Sequence, residues 1–539
     1  MRRVNRPTMI LMASVVAVAA WLPSGLALAA SGQTSLAATQ ARPPSAKTVV
    51  TFAWGGGLAD QMPSLPMLGK YGMHATFFVP SGLVCMLGQA QCRKSSPYLT
   101  IADLRKIAAH GDEIGGLSVT HQNLATMPAA EAKREICDDR SNLFRLGFRP
   151  TDFAYPFALV TPATEALTRA CGYNAGLGTG TIKGAGRCNT CAVAETIPPK
   201  NPFNIRTPVE VNSVRTTWIP RTYESIVADA QRHGGGWIIF TLHDICKTNC
   251  SLGTTPAILG AVLKWLHGQE SHNTVVETMG QVIGGPLRPA VAGPAPRALP
   301  PPGVVNANLA QASGSIPACF QKVTGGGTVA SFTYQPSGGP HGSAAETLRV
   351  TKAGTVDAKL MPAMDLGLCA PSVSSGHAYT AGVWYKSSRQ TQIEIYRRTS
   401  LGSWAYWTSS PVFPASTSWR QAAWTTPAVP PGTTALSFGL TADVGTIYTS
   451  DYSLKLAKSY KALILLGVLL FVIVAAALIA RGHYRYAKYI KAEAADAEAE
   501  PAEAEAQPAR AEAQPARADD ATVIMKTVDP AGTRRATGD

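Results

Sequence analysis

The sequence predicts an α/β region, then an all-β jelly-roll or sandwich region, then one transmembrane helix. Three observations carry that prediction. Residues 48–285 alternate strand-like and helix-like stretches. Residues 303–456 switch to short β-branched and aromatic stretches between Gly, Pro and Ser turns. Residues 462–480 form an uninterrupted apolar run.

The N-terminus, residues 1–29, reads as a secretory signal. Arg2, Arg3 and Arg6 open it, residues 9–22 are apolar but short for a membrane span, and Ala27-Leu28-Ala29 supplies small residues for cleavage. Residues 30–47 are an Ala/Ser/Gln/Pro linker.

Within the α/β region, residues 48–53, 73–80, 153–156, 236–242 and 274–277 read as strands, and residues 101–110 and 129–146 have helical character. A Pro/Ala/Gly linker fills residues 286–302. In the all-β region, residues 378–385, 392–396, 419–424 and 435–440 are strand candidates.

The apolar run 462–480 would rise about 28 Å at ~1.5 Å per residue, close to the hydrocarbon thickness of a bilayer. Arg481, Arg485, Lys488 and Lys491 follow it, interleaved with Tyr484, Tyr486 and Tyr489, a cytoplasmic-side anchor with interfacial aromatics. Lys455, Lys458 and Lys461 precede it, so orientation rests mainly on the signal peptide, which places residues 30–460 outside the cell membrane. Residues 481–539 then form a cytoplasmic tail, Ala/Glu/Pro-rich over residues 492–517 and predicted disordered.

Net charge is +14, but it is spread along the chain with no long basic run, so no nucleic-acid partner is predicted. All ten cysteines lie in the exported part. That confinement argues for disulfides. Cys85 with Cys92, Cys188 with Cys191 and Cys246 with Cys250 are close pairs, which leaves Cys137 with Cys171 and Cys319 with Cys369. A zinc site of Cys188, Cys191, Cys246 and Cys250 is the rival reading.

Six segments carry a resemblance over residues 48–285. They are residues 50–61 (with Thr51-Phe52 ending the strand before Ala53-Trp54-Gly55), residues 70–79, residues 113–124 (Glu113-Ile114-Gly115-Gly116-Leu117-Ser118-Val119-Thr120-His121 and on to Leu124), Phe153-Ala154-Tyr155-Pro156-Phe157, Thr241-Leu242-His243-Asp244 and residues 276–283. In that order they resemble the NodB-type polysaccharide deacetylases, carbohydrate esterases that fold as a distorted (β/α) barrel of seven or eight strands. The site in such a fold sits where the strands end. The resemblance implies a divalent metal, usually zinc, held by one Asp and two His. It also implies an Asp that takes a proton from water and a His that protonates the leaving amine.

Carried over position by position, the base and the metal Asp fall on Ala53 and Trp54, in a register loosened by Gly55-Gly56-Gly57. No other register supplies a carboxylate. The first metal His falls on Leu117, the second is kept as His121, and the late acid is kept as His243, followed by Asp244. The expectation is a broken constellation that does not bind its metal, with His121, His243 and Asp244 vestigial. Asp60 and Asp112 are the candidate substitute ligands.

Each residue has a plainer alternative. His121 could be a hydrogen-bonded turn residue and His243 a packing residue. Trp54 could stack on a sugar or plug the old metal cavity. Tyr155 and Phe157 are read as groove walls. The all-β region resembles a carbohydrate-binding module, in which Trp404, Trp407, Tyr406 and Trp424 stack on sugar or fill the core. The reading is a membrane-anchored, extracellular glycan-binding pseudoenzyme. The alternatives are an active deacetylase with a rebuilt metal site and a structural or adhesion module.

Overall fold

The computed structural model describes residues 47–85, 97–184, 188, 190–208, 218–248, 252–300, 303–458 and 461–497. The predicted signal, most of the first linker and residues 498–539 lie outside the described residues.

The α/β region runs β1 (Thr48–Trp54), α1 (Ser64–Gly69), β2 (Thr76–Val79), α2 (Ile101–Ala109), β3 (Glu113–Gly116), α3 (Ala129–Arg145), β4 (Asp152–Ala154) and α4 (Pro162–Ala170). It continues with β5 (Ala175–Ile182), β6 (Ile205–Pro208), α5 (Pro220–Arg232), β7 (Gly236–Leu242), α6 (Pro256–His267), β8 (Thr274–Val276) and α7 (Met279–Ile283). The strands form one parallel eight-stranded sheet in the order β6-β5-β4-β3-β2-β1-β7, with β8 also paired to β1. This parallel half-barrel fits the NodB-type (β/α) fold.

Every residue of β1 is buried, as a parallel sheet covered on both faces requires. Side-chain parity divides the strand. Val50, Phe52 and Trp54 join the cluster shared with the helices, while Val49 and Ala53 join the cluster inside the curve of the sheet, beside Phe78, Leu117 and Trp237. Helix starts follow local chemistry. Thr100 caps α2 and Thr161 caps α4, each with a reciprocal side-chain bond from the third helical residue.

The all-β region contains β9 (Ala312–Ser313), β10 (Ile316–Pro317), β11 (Phe320–Gly325), β12 (Val329–Gln335), β13 (Ala345–Lys352), β14 (Val356–Pro362), β15 (Tyr379–Ser387) and β16 (Ile393–Thr399). After these come β17 (Trp404–Ser409), β18 (Ser416–Thr425), β19 (Thr433–Leu440) and β20 (Gly445–Leu456). A five-stranded sheet, β12-β13-β20-β15-β18, and a three-stranded sheet, β17-β16-β19, contribute to one apolar cluster that includes Leu348, Val383, Tyr385, Ile395 and Phe438.

Both regions belong to one compact unit. The Pro-rich stretch lies along α3. Arg140 donates to the carbonyls of Arg288 (2.6 Å) and Pro289 (2.7 Å), Gly293 N–H donates to Asp138 (2.7 Å), and Arg134 donates to Ala295 O (2.7 Å). From the same helix, Asn142 Nδ2 donates to Leu401 O of the all-β region (2.8 Å), and Glu131 in the first turn accepts from Leu366 N–H.

Disulfides join Cys137 to Cys171, Cys188 to Cys191, and Cys319 to Cys369. The second of these overturns the four-cysteine zinc alternative, because it uses two of the required thiolates. Cys246 is disulfide-bonded as well. Cys92 and Cys250 lie outside the described residues.

A separate unit holds α8 (Lys461–Ala497), whose Leu466–Ala495 stretch is long and apolar enough to cross a membrane. The helix runs past the predicted span, because the Ala, Glu and Lys residues that follow are strong helix formers.

Candidate functional site

A cavity of about 290 Å³ opens where the parallel strands end. Gly55, Phe78, Leu117, His121, Tyr155, Phe157 and His243 are among its lining residues, so five of the six resembling segments converge on it. No Asp or Glu lines it among the described residues.

The loop carrying Leu117 and His121 is fastened by two buried carboxylates of α3. Asp139 accepts from Leu117 N–H (3.1 Å), Ser81 N–H (2.9 Å) and Tyr173 O–H (3.2 Å). Glu135 accepts from Thr120 N–H (2.8 Å) and from the Thr120 hydroxyl. Burial raises the pKa of both acids, Asp139 well above its ordinary value. Ser118 and His121 have left-handed backbones (φ 64° and 58°), and so do Phe157 and Ala158 on the opposite wall (φ 57° and 55°). Such non-glycine strain concentrates where surrounding structure over-determines a functional site.

Phe157 is 61% exposed, and its ring centroid lies 4.9 Å from that of His121. Tyr155 is buried, and its O–H donates to Phe203 O (2.8 Å). Both line the cavity. Burial lowers the pKa of His121, and nearby His243 lowers it further, so His121 favours its neutral form.

Gln61 was not singled out in the sequence, yet it binds two sides of the site together. It is fully buried, and its Nε2 donates to both Gly55 O (2.6 Å) and His243 O (2.6 Å). His243 Nδ1 is buried without a hydrogen-bond partner among the described residues. Asp244 does not line the cavity. Its pKa is raised by burial, and it adds to the raised pKa of Asp60, which is also off the cavity wall.

The structure corrects the reading of Trp54. Its side chain is fully buried on the helix side of β1, with its ring stacked on Phe77 at 6.2 Å. It is neither a sugar platform nor a plug of the cavity. Ala53 points into the apolar interior. The pocket-facing position of the first segment is Gly55, whose ideal Cβ would stand 3.3 Å from His243 Nε2. The carry-over therefore moves from Ala53 and Trp54 to the glycines that follow. The sequence could not settle this, because three consecutive glycines leave the register open.

The residues present do not fit the family metal. A catalytic zinc takes three protein ligands, whereas the cavity offers two imidazoles, a leucine where the first His is expected and a glycine where a carboxylate is expected. Asp112 cannot substitute. It lies just before β3, at the other end of the strands, and accepts from Ala75 N–H (2.7 Å).

In the all-β region, Trp404 lies under Arg398, with its ring 5.9 Å from the guanidinium and its Nε1 buried. Trp407 and Trp424 pack against the core, and Tyr406 is half exposed. A different groove, of about 470 Å³, was missed by the sequence reading. Trp384, Asn306, Gln421, Asp451 and Lys455 line it. No motif signals this groove; β15, β18 and β20 bring Trp384, Gln421, Asp451 and Lys455 together.

Residues 43–176 match the polysaccharide deacetylase family model. YxkH of Bacillus subtilis (strain 168), a protein whose name carries the term polysaccharide deacetylase, is 27% identical over 150 residues. That match covers 27% of this chain and 50% of YxkH, so the chain spans half the length of this curated relative. Among solved structures, the peptidoglycan deacetylase PdaC of Bacillus subtilis is 20% identical, covering 45% of this chain and 92% of PdaC, at a TM-score of 0.26. A family 4 acetyl xylan esterase of Clostridium thermocellum, solved with a cobalt ion, is 19% identical, covering 45% of this chain and 96% of its own, at a TM-score of 0.29.

Proposed function

We propose that this polysaccharide deacetylase-like protein is held at the cell membrane by α8 and binds an envelope or extracellular glycan in its cavity without hydrolysing it efficiently. One observation carries the reading: Gly55, Leu117, His121 and His243 share one cavity whose described lining holds no carboxylate.

Amide hydrolysis in this family pattern needs a metal to polarise the carbonyl and a base to take the proton of water. The base alone is worth ~10²–10⁴-fold in rate. Without a three-ligand cage the metal's share is lost as well. What remains suits binding. Phe157 offers apolar ring surface to a sugar or to an acetyl methyl, with buried Tyr155 packed in the wall. Neutral His121 can hydrogen-bond an uncharged ligand without a full charge to desolvate. The groove beside Trp384 supports a second contact with the same polymer.

The test uses the full-length protein in detergent, with acetylated chito-oligomers and added zinc. Saturable binding with acetate release at background level is the expected result. Robust metal-dependent acetate release overturns the reading.

A further inference from the structure

We propose that His74, His110 and Asp112 form a second-end metal site, one that takes a divalent cation of the zinc class at the N-terminal end of the parallel strands. The site is separate from the cavity beside His121 and independent of the glycan reading.

The fold builds this cluster from three places. His74 lies just before β2, Asp112 just before β3, and His110 caps the C-terminus of α2. Parallel pairing of β2 with β3, which sets Thr76 opposite Glu113, brings the two strand starts side by side. One ligand atom from each residue then lies within 4.8 Å of the other two. Zinc bonded at about 2.0–2.2 Å in a tetrahedron sets its ligand atoms roughly 3.4 Å apart. With 4.8 Å as the upper bound, a bound ion would draw the atoms together by no more than about 1.4 Å.

Four further observations favour a cation over a plain His–Asp pair. His74 Nδ1 is buried with no hydrogen-bond partner among the described residues, although His110 and Asp112 are already paired at 2.7 Å. A lone pair or N–H left unmatched this way is costly unless something occupies it. The imidazoles fit because their neighbours are glycines. An ideal Cβ on Gly111 would lie 2.8 Å from His74 Cε1, and one on Gly69 would lie 2.6 Å from His110 Nε2. Asp112 is oriented by a second bond, from Ala75 N–H to its other oxygen, the kind of outer support that metal carboxylates carry. Finally, the Asp112 side chain is wholly buried while that of His110 keeps 24% exposure, so one side stays open for a water ligand. Binding would replace the His110–Asp112 hydrogen bond, with the shared proton leaving to solvent.

The experiment strips the full-length protein with chelator, then titrates zinc and, separately, cobalt, reading metal content by mass spectrometry and cobalt by its visible absorption. Wild type should take up one equivalent and give a cobalt spectrum. His121→Ala and His243→Ala should leave both unchanged. His110→Ala and Asp112→Asn should weaken uptake at least tenfold. His74→Gln, at a half-buried ring, serves as the milder variant should either of those fail to fold, and should also lower affinity tenfold or more. No uptake by wild type, uptake unchanged in His74→Gln, or uptake lost on His121→Ala would each overturn the proposal. Only the last of these would also strike at the non-hydrolytic reading of the cavity.

Discussion

Asn142→Ala tests whether the all-β region is clasped to the half-barrel or only tethered to it. Asn142 is 2% exposed on α3. Its Nδ2 donates to Leu401 O (2.8 Å) and to Ser81 Oγ (3.0 Å), and its Oδ1 accepts from Arg145. One side chain thus joins α3, the turn after β2 and the 400–402 turn of the other region. Truncation leaves the carbonyl of Leu401, a 6%-exposed residue, without its donor. An orphaned buried acceptor costs ~1–3 kcal/mol, and the space left by the amide adds roughly 1 kcal/mol. Arg145 also reaches Ser400 O (3.2 Å) and can offset part of the loss. The sum is about 2–3 kcal/mol, read as a lower urea midpoint for the compact unit. The effect should reach the cavity. Gly402 lies so close to Val119 that an ideal Cβ would sit 2.5 Å from Val119 Cγ1, and Val119 O accepts from Gly82 N–H (2.9 Å). Hydrogen exchange should therefore quicken at Gly402 and at Gly82. A midpoint shift worth less than about 0.5 kcal/mol, the usual size for an uninvolved surface change, together with unchanged exchange, would refute the clasp.

Other substitutions probe the cavity. Trp54→Ala should cost ~3–5 kcal/mol of stability, as a core aromatic does, while the folded fraction binds glycan as before; weakened binding at unchanged stability would restore the sugar-platform reading. His121 makes stability depend on pH. The unfolded chain takes a proton near pH 6.5, and the folded form resists it. Stability is therefore full above about pH 6.5 and is lost as pH falls toward the lowered folded pKa. A thermal melt series should show this slope reduced in His121→Gln, and an equal slope in both proteins would contradict it. Gly55→Asp combined with Leu117→His, made in a His110→Ala background, should gain zinc at the cavity. Absence of any gain would sink the placement of the first segment at Gly55.

Much of the frame was legible because apolar, β-branched runs announce buried strands. Residues 236–242 were read as a strand and are β7. By contrast, β5 carries Gly176, Gly178 and Gly180, and no propensity marks it. Gly176 and Gly178 answer to tertiary contacts that a local pattern cannot show. An ideal Cβ on Gly176 would lie 2.6 Å from Tyr155 Oη, and one on Gly178 would lie 2.3 Å from Asn204 Oδ1. At the cavity, His121, His243, Tyr155 and Phe157 were recoverable from segment spacing. The face taken by Trp54 was not, because strand parity beside a glycine run is fixed only by packing. Gln61 and the His74–His110–Asp112 cluster were equally hidden, since each joins residues that meet only after the sheet has formed.

The most direct measurement is a crystal of the protein grown with zinc and examined by anomalous scattering at the zinc edge. Peaks confined to His74, His110 and Asp112, with none between His121 and His243, are the predicted result. A fully coordinated ion beside His121 would contradict the account and return the cavity to the working hydrolases.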